Sequence, residues 1–112
     1  MSAVADDVAA PVIDGSVLVI GTGLIGTSVA LALRRAGVDV LLSDVDGENM
    51  SVALAAGAGR PLSEHDQPSI VVVAVPPRHA SAVIAGASAA YPGATLTDVT
   101  SVKQRVLSEA LT

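Results

Sequence analysis

The stretch that decides the fold is Val17-Leu18-Val19-Ile20-Gly21-Thr22-Gly23-Leu24-Ile25-Gly26. Its first four residues are an unbroken apolar run, as expected of a strand covered on both faces. A glycine-rich turn follows at once. Beyond it Ile25, Val29, Ala32, Leu33 and Ala36 recur at helical spacing, and Gly37 ends the run. Strand, glycine-rich turn and amphipathic helix together are the context in which GxGxxG signals a dinucleotide. Gly21 allows the tight turn, Gly23 lets a pyrophosphate approach the backbone, and Gly26 lets the helix pack close on the sheet. The N–H groups of Leu24 and Ile25 then face the phosphates, aided by the helix dipole. A strand–helix turn without a ligand is the alternative.

Outward from the turn, strand-like and helix-like segments alternate. A second apolar run covers Val38 to Ser43 and ends at Asp44, 18 residues after Gly26. An acid at that point suits the hydroxyls of an adenosine ribose, and no basic residue follows closely to meet a 2′-phosphate. NAD is therefore favoured over NADP. Asp46, in Asp46-Gly47, reads as a solvated turn residue. Glu48 to Ala56 reads as a short helix with Met50, Ala53 and Leu54 on one face and Gly57 as its stop. Arg60-Pro61-Leu62 holds at most a short strand, and Ser63 to Ser69 is polar loop. Ile70 to Val75 is the strongest strand, and Ala80, Val83, Ile84, Ala87 and Tyr91 form the next helical stripe. Ala94 to Val99 is a last strand, and Ser101 with Gln104 fits a capping box.

Strands separated by helices imply parallel pairing with right-handed crossovers. The expected fold class is α/β, a Rossmann-like doubly wound parallel sheet. Ligands sit at the carboxyl ends of such strands, so Val75 and Pro76 are expected at the site. Pro76-Pro77 also suits a plain helix start.

The 112 residues suit one domain. Residues 1–14 read as a flexible acidic tail and 15–112 as a dinucleotide-binding domain, truncated because a full one has about six strands. With 20 Ala and 18 Val the core is built of small residues. With 51% hydrophobic residues the chain is not intrinsically disordered. The absence of Cys excludes disulfides, Cys-ligated zinc and a thiol nucleophile, and no metal is expected. A net charge of -5 and a single aromatic residue argue against a nucleic-acid surface. The N-terminus carries acids where a signal peptide needs bases. The longest uncharged run, Ala80 to Thr97, is broken by Gly86, Pro92 and Gly93 and does not read as a membrane span. A cytoplasmic protein is expected.

Four segments carry a family resemblance: Gly21 to Ser28, Ser43 to Asp46, Val73-Ala74-Val75-Pro76-Pro77, and Leu96-Thr97-Asp98-Val99-Thr100-Ser101-Val102-Lys103. Together they resemble the prephenate/arogenate dehydrogenase family of tyrosine biosynthesis, over roughly residues 16–110. The last segment is the most specific, although Thr100 stands where the family commonly has Gly. The resemblance implies an NAD-dependent oxidoreductase that oxidatively decarboxylates prephenate or arogenate, a small-molecule substrate. It implies that Ser101 is catalytic, near the substrate hydroxyl; the residue also suits a helix N-cap.

The family's catalytic histidine follows that last segment. Here His65 and His79 both precede it. His65 reads as a solvated loop residue and His79 as a helix-start residue or a ligand contact. The family's helical C-terminal domain, which forms its homodimer, is likewise absent. The chain is therefore expected to bind cofactor and to be inactive alone. Acids concentrate before residue 67, and a substrate side near Arg78, Lys103 and Arg105 suits a dianion. The alternatives are the cofactor domain of a 3-hydroxyisobutyrate or 6-phosphogluconate type dehydrogenase, and a non-catalytic dinucleotide-sensing module.

Overall fold

The computed structural model describes residues 15–99. The capping box at Ser101 and the N-terminal tail lie outside them. The chain runs β1 (Ser16–Ile20), α1 (Leu24–Arg35), β2 (Asp39–Ser43), α2 (Gly47–Ala55), β3 (Arg60–Pro61), β4 (Ile70–Val73), α3 (Pro77–Ala90) and β5 (Thr95–Asp98). The five strands form one parallel sheet in the order β3-β2-β1-β4-β5. The chain therefore reverses its direction of travel at β1, which lies between β2 and β4. That is the topological switch point of an open α/β sheet, where a ligand crevice forms.

Alternation along the strands divides the core in two. Val17 and Val19 face α1 and α2, in a cluster with Ala30, Val40, Leu42, Ala53 and Val72. Leu18 faces the other way, with Leu41, Val71, Val73 and Ala87 of α3. Leu18, Leu41 and Leu42 are completely buried, and each such side chain stabilises the fold by about 1.5–3 kcal/mol. Among the described residues no helix is long and apolar enough to cross a membrane.

Three sequence expectations change. The inward stripe of α1 is Gly26, Val29, Ala30 and Leu33, while Ala32 and Ala36 are exposed and Ile25 is 38% exposed. The helix is rotated so that two small residues one turn apart, Gly26 and Ala30, face the sheet and let its backbone approach. Next, the strand expected over Ile70–Val75 closes at Val73. The Ala74 N–H still donates to the Ile20 carbonyl at 2.8 Å, and the chain then turns away into Pro76 and Pro77. Finally, the doubtful third strand exists, with two residues. Pro61 is tolerated there because β3 is an edge strand. Arg60 anchors it, its guanidinium donating to Asp39 at 3.1 Å and to Asp66 at 3.1 Å.

Candidate functional site

The glycine-rich turn connects β1 to α1 at the carboxyl edge of the sheet. Gly21 has φ +100, and a Cβ there would lie 2.6 Å from the Ala74 carbonyl oxygen. Only glycine fits both demands. A Cβ on Gly26 would run into the Gly21 carbonyl, so this glycine sets the close approach of α1. Gly23 differs from both. Its φ is -71, which any residue adopts, and a Cβ there would meet nothing within 4 Å. Nothing within the described chain requires glycine at this position.

The two flanking helices start differently. In α2 the Asp46 carboxylate caps the N-terminus, accepting from Glu48 N–H at 2.9 Å and Asn49 N–H at 3.0 Å. Asp46, expected to be a solvated turn residue, is this cap. At α1 the N-cap is Gly23, with no side-chain cap and no acid in the first turn. The first N–H groups of a helix have no acceptor within it. Those of α1 open on a cavity of about 570 Å³ lined by Gly21, Gly23 to Gly26, Asp44, Asn49, Ala74 to Pro77 and Val99. Leu24, 86% exposed, stands at its rim.

Asp44 follows the last residue of β2 and is half-buried. Its Oδ2 accepts from Thr22 N–H at 2.6 Å and from the Thr22 hydroxyl at 2.8 Å, and its Oδ1 accepts from Asp46 N–H at 2.8 Å. Burial pushes the carboxyl pKa up, but the hydrogen bonds from Asp46 and Thr22 outweigh it and hold the group below the ordinary carboxylate value. Asp44 is therefore an anion at neutral pH. Thr22 itself is only 3% exposed, and its carbonyl accepts from the Thr27 hydroxyl at 2.9 Å.

A second cavity, of about 310 Å³, lies on the α3 side of the sheet edge. Ile20, Val45, Ala82 and Val83 give it apolar walls, and His79 stands in its lining. Arg78 Nε donates to His79 Nε2 at 3.2 Å. The two cavities share Gly21, Asp44, Val75 and Pro76. Pro76 is also the N-cap of α3 and Pro77 its first residue, so the helix-start reading of the Pro-Pro step holds, and Pro76 lines both cavities as well. His65 lines neither cavity and pairs with Glu64 at 3.7 Å on the surface.

The structure thus brings Gly21, Gly23, Leu24, Ile25, Gly26, Asp44, Val75 and Pro76 together, while Ser101 lies outside the described residues. Sequence reasoning missed Thr22, Asn49 and Val99 as parts of this edge. Among the described residues no group of three His, Cys, Asp or Glu is placed to hold a metal ion.

A sequence model of the family "Prephenate dehydrogenase, nucleotide-binding domain" matches residues 29–111. The chain belongs to this family. It is 42% identical over 86 residues to the probable prephenate dehydrogenase NovF of Streptomyces niveus. That alignment covers 77% of the chain and 24% of NovF. The fold is shared with the crystal structure of arogenate dehydrogenase from Synechocystis, at a TM-score of 0.66 and 21% identity. The match covers 74% of this chain and 32% of that one. This family member thus spans about a quarter to a third of the length of these two relatives. Membership in a nucleotide-binding family of dehydrogenases agrees with a glycine-rich turn opening on a cavity at the switch point of the sheet. The family match begins at residue 29, after the glycine-rich turn.

Proposed function

We infer that residues 15–112 form the NAD-holding part of a cytoplasmic enzyme that oxidatively decarboxylates prephenate or arogenate in tyrosine biosynthesis. The observation that carries this reading is Gly23. It has no conformational or steric need to be glycine, and it caps a helix whose first N–H groups open on the larger cavity. A missing Cβ at that point serves a group from outside the chain. A pyrophosphate fits it, because its oxygens accept from N–H groups at a helix N-terminus.

The two cavities meeting at Gly21 and Asp44 suit a ligand with two ends. The adenosine end fits the apolar cavity beside Val45 and Val83, and the nicotinamide end fits the larger one toward Val99. The Asp44 carboxylate at the end of β2 suits the ribose hydroxyls, and as a fixed anion it repels a 2′-phosphate; both favour NAD over NADP. Bound NAD supplies a hydride acceptor. The chain's own residues hold it, through the N–H groups of Leu24 and Ile25, and wall it off from water with Val75 and Pro76.

Ser101, by the family resemblance, stands near the substrate hydroxyl. Neither histidine fits the role of the family's base. His65 lies away from both cavities, and His79 lines the one assigned to adenosine. Turnover and homodimer formation are therefore assigned to parts of the enzyme outside this chain.

Titration of the chain with NADH, followed by nicotinamide fluorescence, tests the cofactor reading. Saturable binding with no oxidation of prephenate or arogenate is expected. Failure to bind either NADH or NADPH overturns it, and turnover by the chain alone overturns the assignment of the base elsewhere.

A further inference from the structure

Asp44 does not stand freely at the end of β2. A carboxylate oxygen has about two acceptor positions. Both positions of Oδ2 are filled by Thr22, one by its N–H at 2.6 Å and one by its hydroxyl at 2.8 Å. Oδ1 already accepts from Asp46 N–H at 2.8 Å, and the Asn49 side chain also hydrogen-bonds the carboxylate. Thr22 is in turn fixed. Its side chain is buried, its carbonyl accepts from Thr27, and the preceding Gly21 N–H donates to the Ser43 carbonyl at 2.8 Å. The Asp44 carboxylate is thus held at one orientation by the second residue of the glycine-rich turn.

We propose that Thr22 is a positioning residue for dinucleotide selectivity: its hydroxyl locks Asp44 so that the carboxylate cannot turn away from a phosphate on the adenosine ribose. This rests on the dinucleotide reading of the edge. A carboxylate free to rotate swings toward solvent when a 2′-phosphate arrives and relieves the repulsion. A locked one keeps its charge facing the ribose. The N–H bonds from Thr22 and Asp46 survive any substitution of the Thr22 side chain, so losing the hydroxyl empties one of the two Oδ2 positions and loosens the carboxylate without releasing it.

Thr22→Val removes the hydroxyl and keeps the shape, and Thr22→Ser keeps the hydroxyl. Dissociation constants of both variants and the wild-type chain are measured for NADH and NADPH by fluorescence titration. In the wild type NADPH binds at least about tenfold more weakly than NADH. Thr22→Val narrows that ratio about five- to tenfold, only part of the roughly ten- to 150-fold that one bond to a charged acceptor carries, because the N–H bonds of Thr22 and Asp46 to the carboxylate remain. Thr22→Ser restores the wild-type ratio. An unchanged ratio in Thr22→Val overturns the proposal. So does equal weakening of both ligands, which marks a purely structural role, or a Thr22→Ser variant that behaves like Thr22→Val. Should Thr22→Val fail to fold, Thr22→Ala is judged by the same ratio. A wild-type chain that binds both ligands equally sinks the selectivity proposal and leaves the dinucleotide reading standing; one that binds neither sinks both.

Discussion

Gly23→Ala separates ligand binding from folding more cleanly than any other substitution at the turn. The residue sits at φ -71 and ψ -164, and its new Cβ would meet nothing within 4 Å. Replacing glycine at a compatible position stabilises by about 0.4–1 kcal/mol through the unfolded chain. Alanine is a poorer N-cap than glycine by a similar amount, up to roughly 1 kcal/mol. The two effects oppose, so the folding free energy should change by less than about 0.5 kcal/mol. Binding responds differently. The methyl group occupies the space through which a pyrophosphate reaches the first N–H groups of α1. Loss of one charge-assisted bond there, about 1.5–3 kcal/mol, weakens NADH by roughly ten- to 150-fold. Urea unfolding and NADH titration of the same preparation give both numbers. A Gly23→Ala chain that binds NADH like the wild type would remove the pyrophosphate from this turn. A destabilisation of several kcal/mol would show that the space beside Gly23 is not open.

Other perturbations read the neighbouring parts. Gly26→Ala drives a Cβ into the Gly21 carbonyl and brings it within 3.2 Å of Ala74 Cβ, so urea unfolding should show a loss of about 1–3 kcal/mol or more. Leu18→Ala, at a completely buried site in the middle strand, should cost about 2–5 kcal/mol in the same assay. The Asp44 carboxyl lies below its ordinary 3.8 in the folded chain, so its contribution to stability is complete above 3.8 and fades as pH falls through the folded value. Stability of wild type minus Asp44→Asn should therefore hold steady from neutral pH to about 4 and shrink below it; a constant difference down to about pH 2 would contradict the hydrogen-bonded anion. Arg60→Ala releases β3 from Asp39 and Asp66 at an exposed edge, and amide exchange should quicken at Leu62, whose N–H donates to the Leu42 carbonyl at 3.0 Å, with little change in global stability.

The order of elements was legible because β1, β2 and β4 hold dense runs of Val, Ile or Leu, each followed within a residue or two by glycine, proline or a polar residue. The site was legible at the turn and at Asp44 because both follow directly from where strands end. The face of α1 was misread. Apolar periodicity favours Ile25 and Ala32, whereas close packing on the sheet turns Gly26 inward with Ala30 one turn on, and Gly26 carries no hydropathy signal. Thr22 was not legible either. Its role depends on the parallel register that sets Gly21 beside Ser43 and so places Asp44, 22 positions away, within reach of its hydroxyl. The one available signal is a hydroxyl residue between two turn glycines when an acid ends the adjacent parallel strand. Strand β3 has two residues, too few for any periodicity, and only its pairing with Leu41 and Leu42 defines it.

Backbone amide shifts of the chain, followed by NMR during titration with NADH, test the placement of a dinucleotide at this edge most directly. Saturable shifts are expected at Thr22 to Ile25, Asp44 to Asp46 and Val75 to His79, with the far ends of the strands, near Ser16 and Ile70, unmoved. No saturable shift, or shifts centred on that opposite edge, would contradict it.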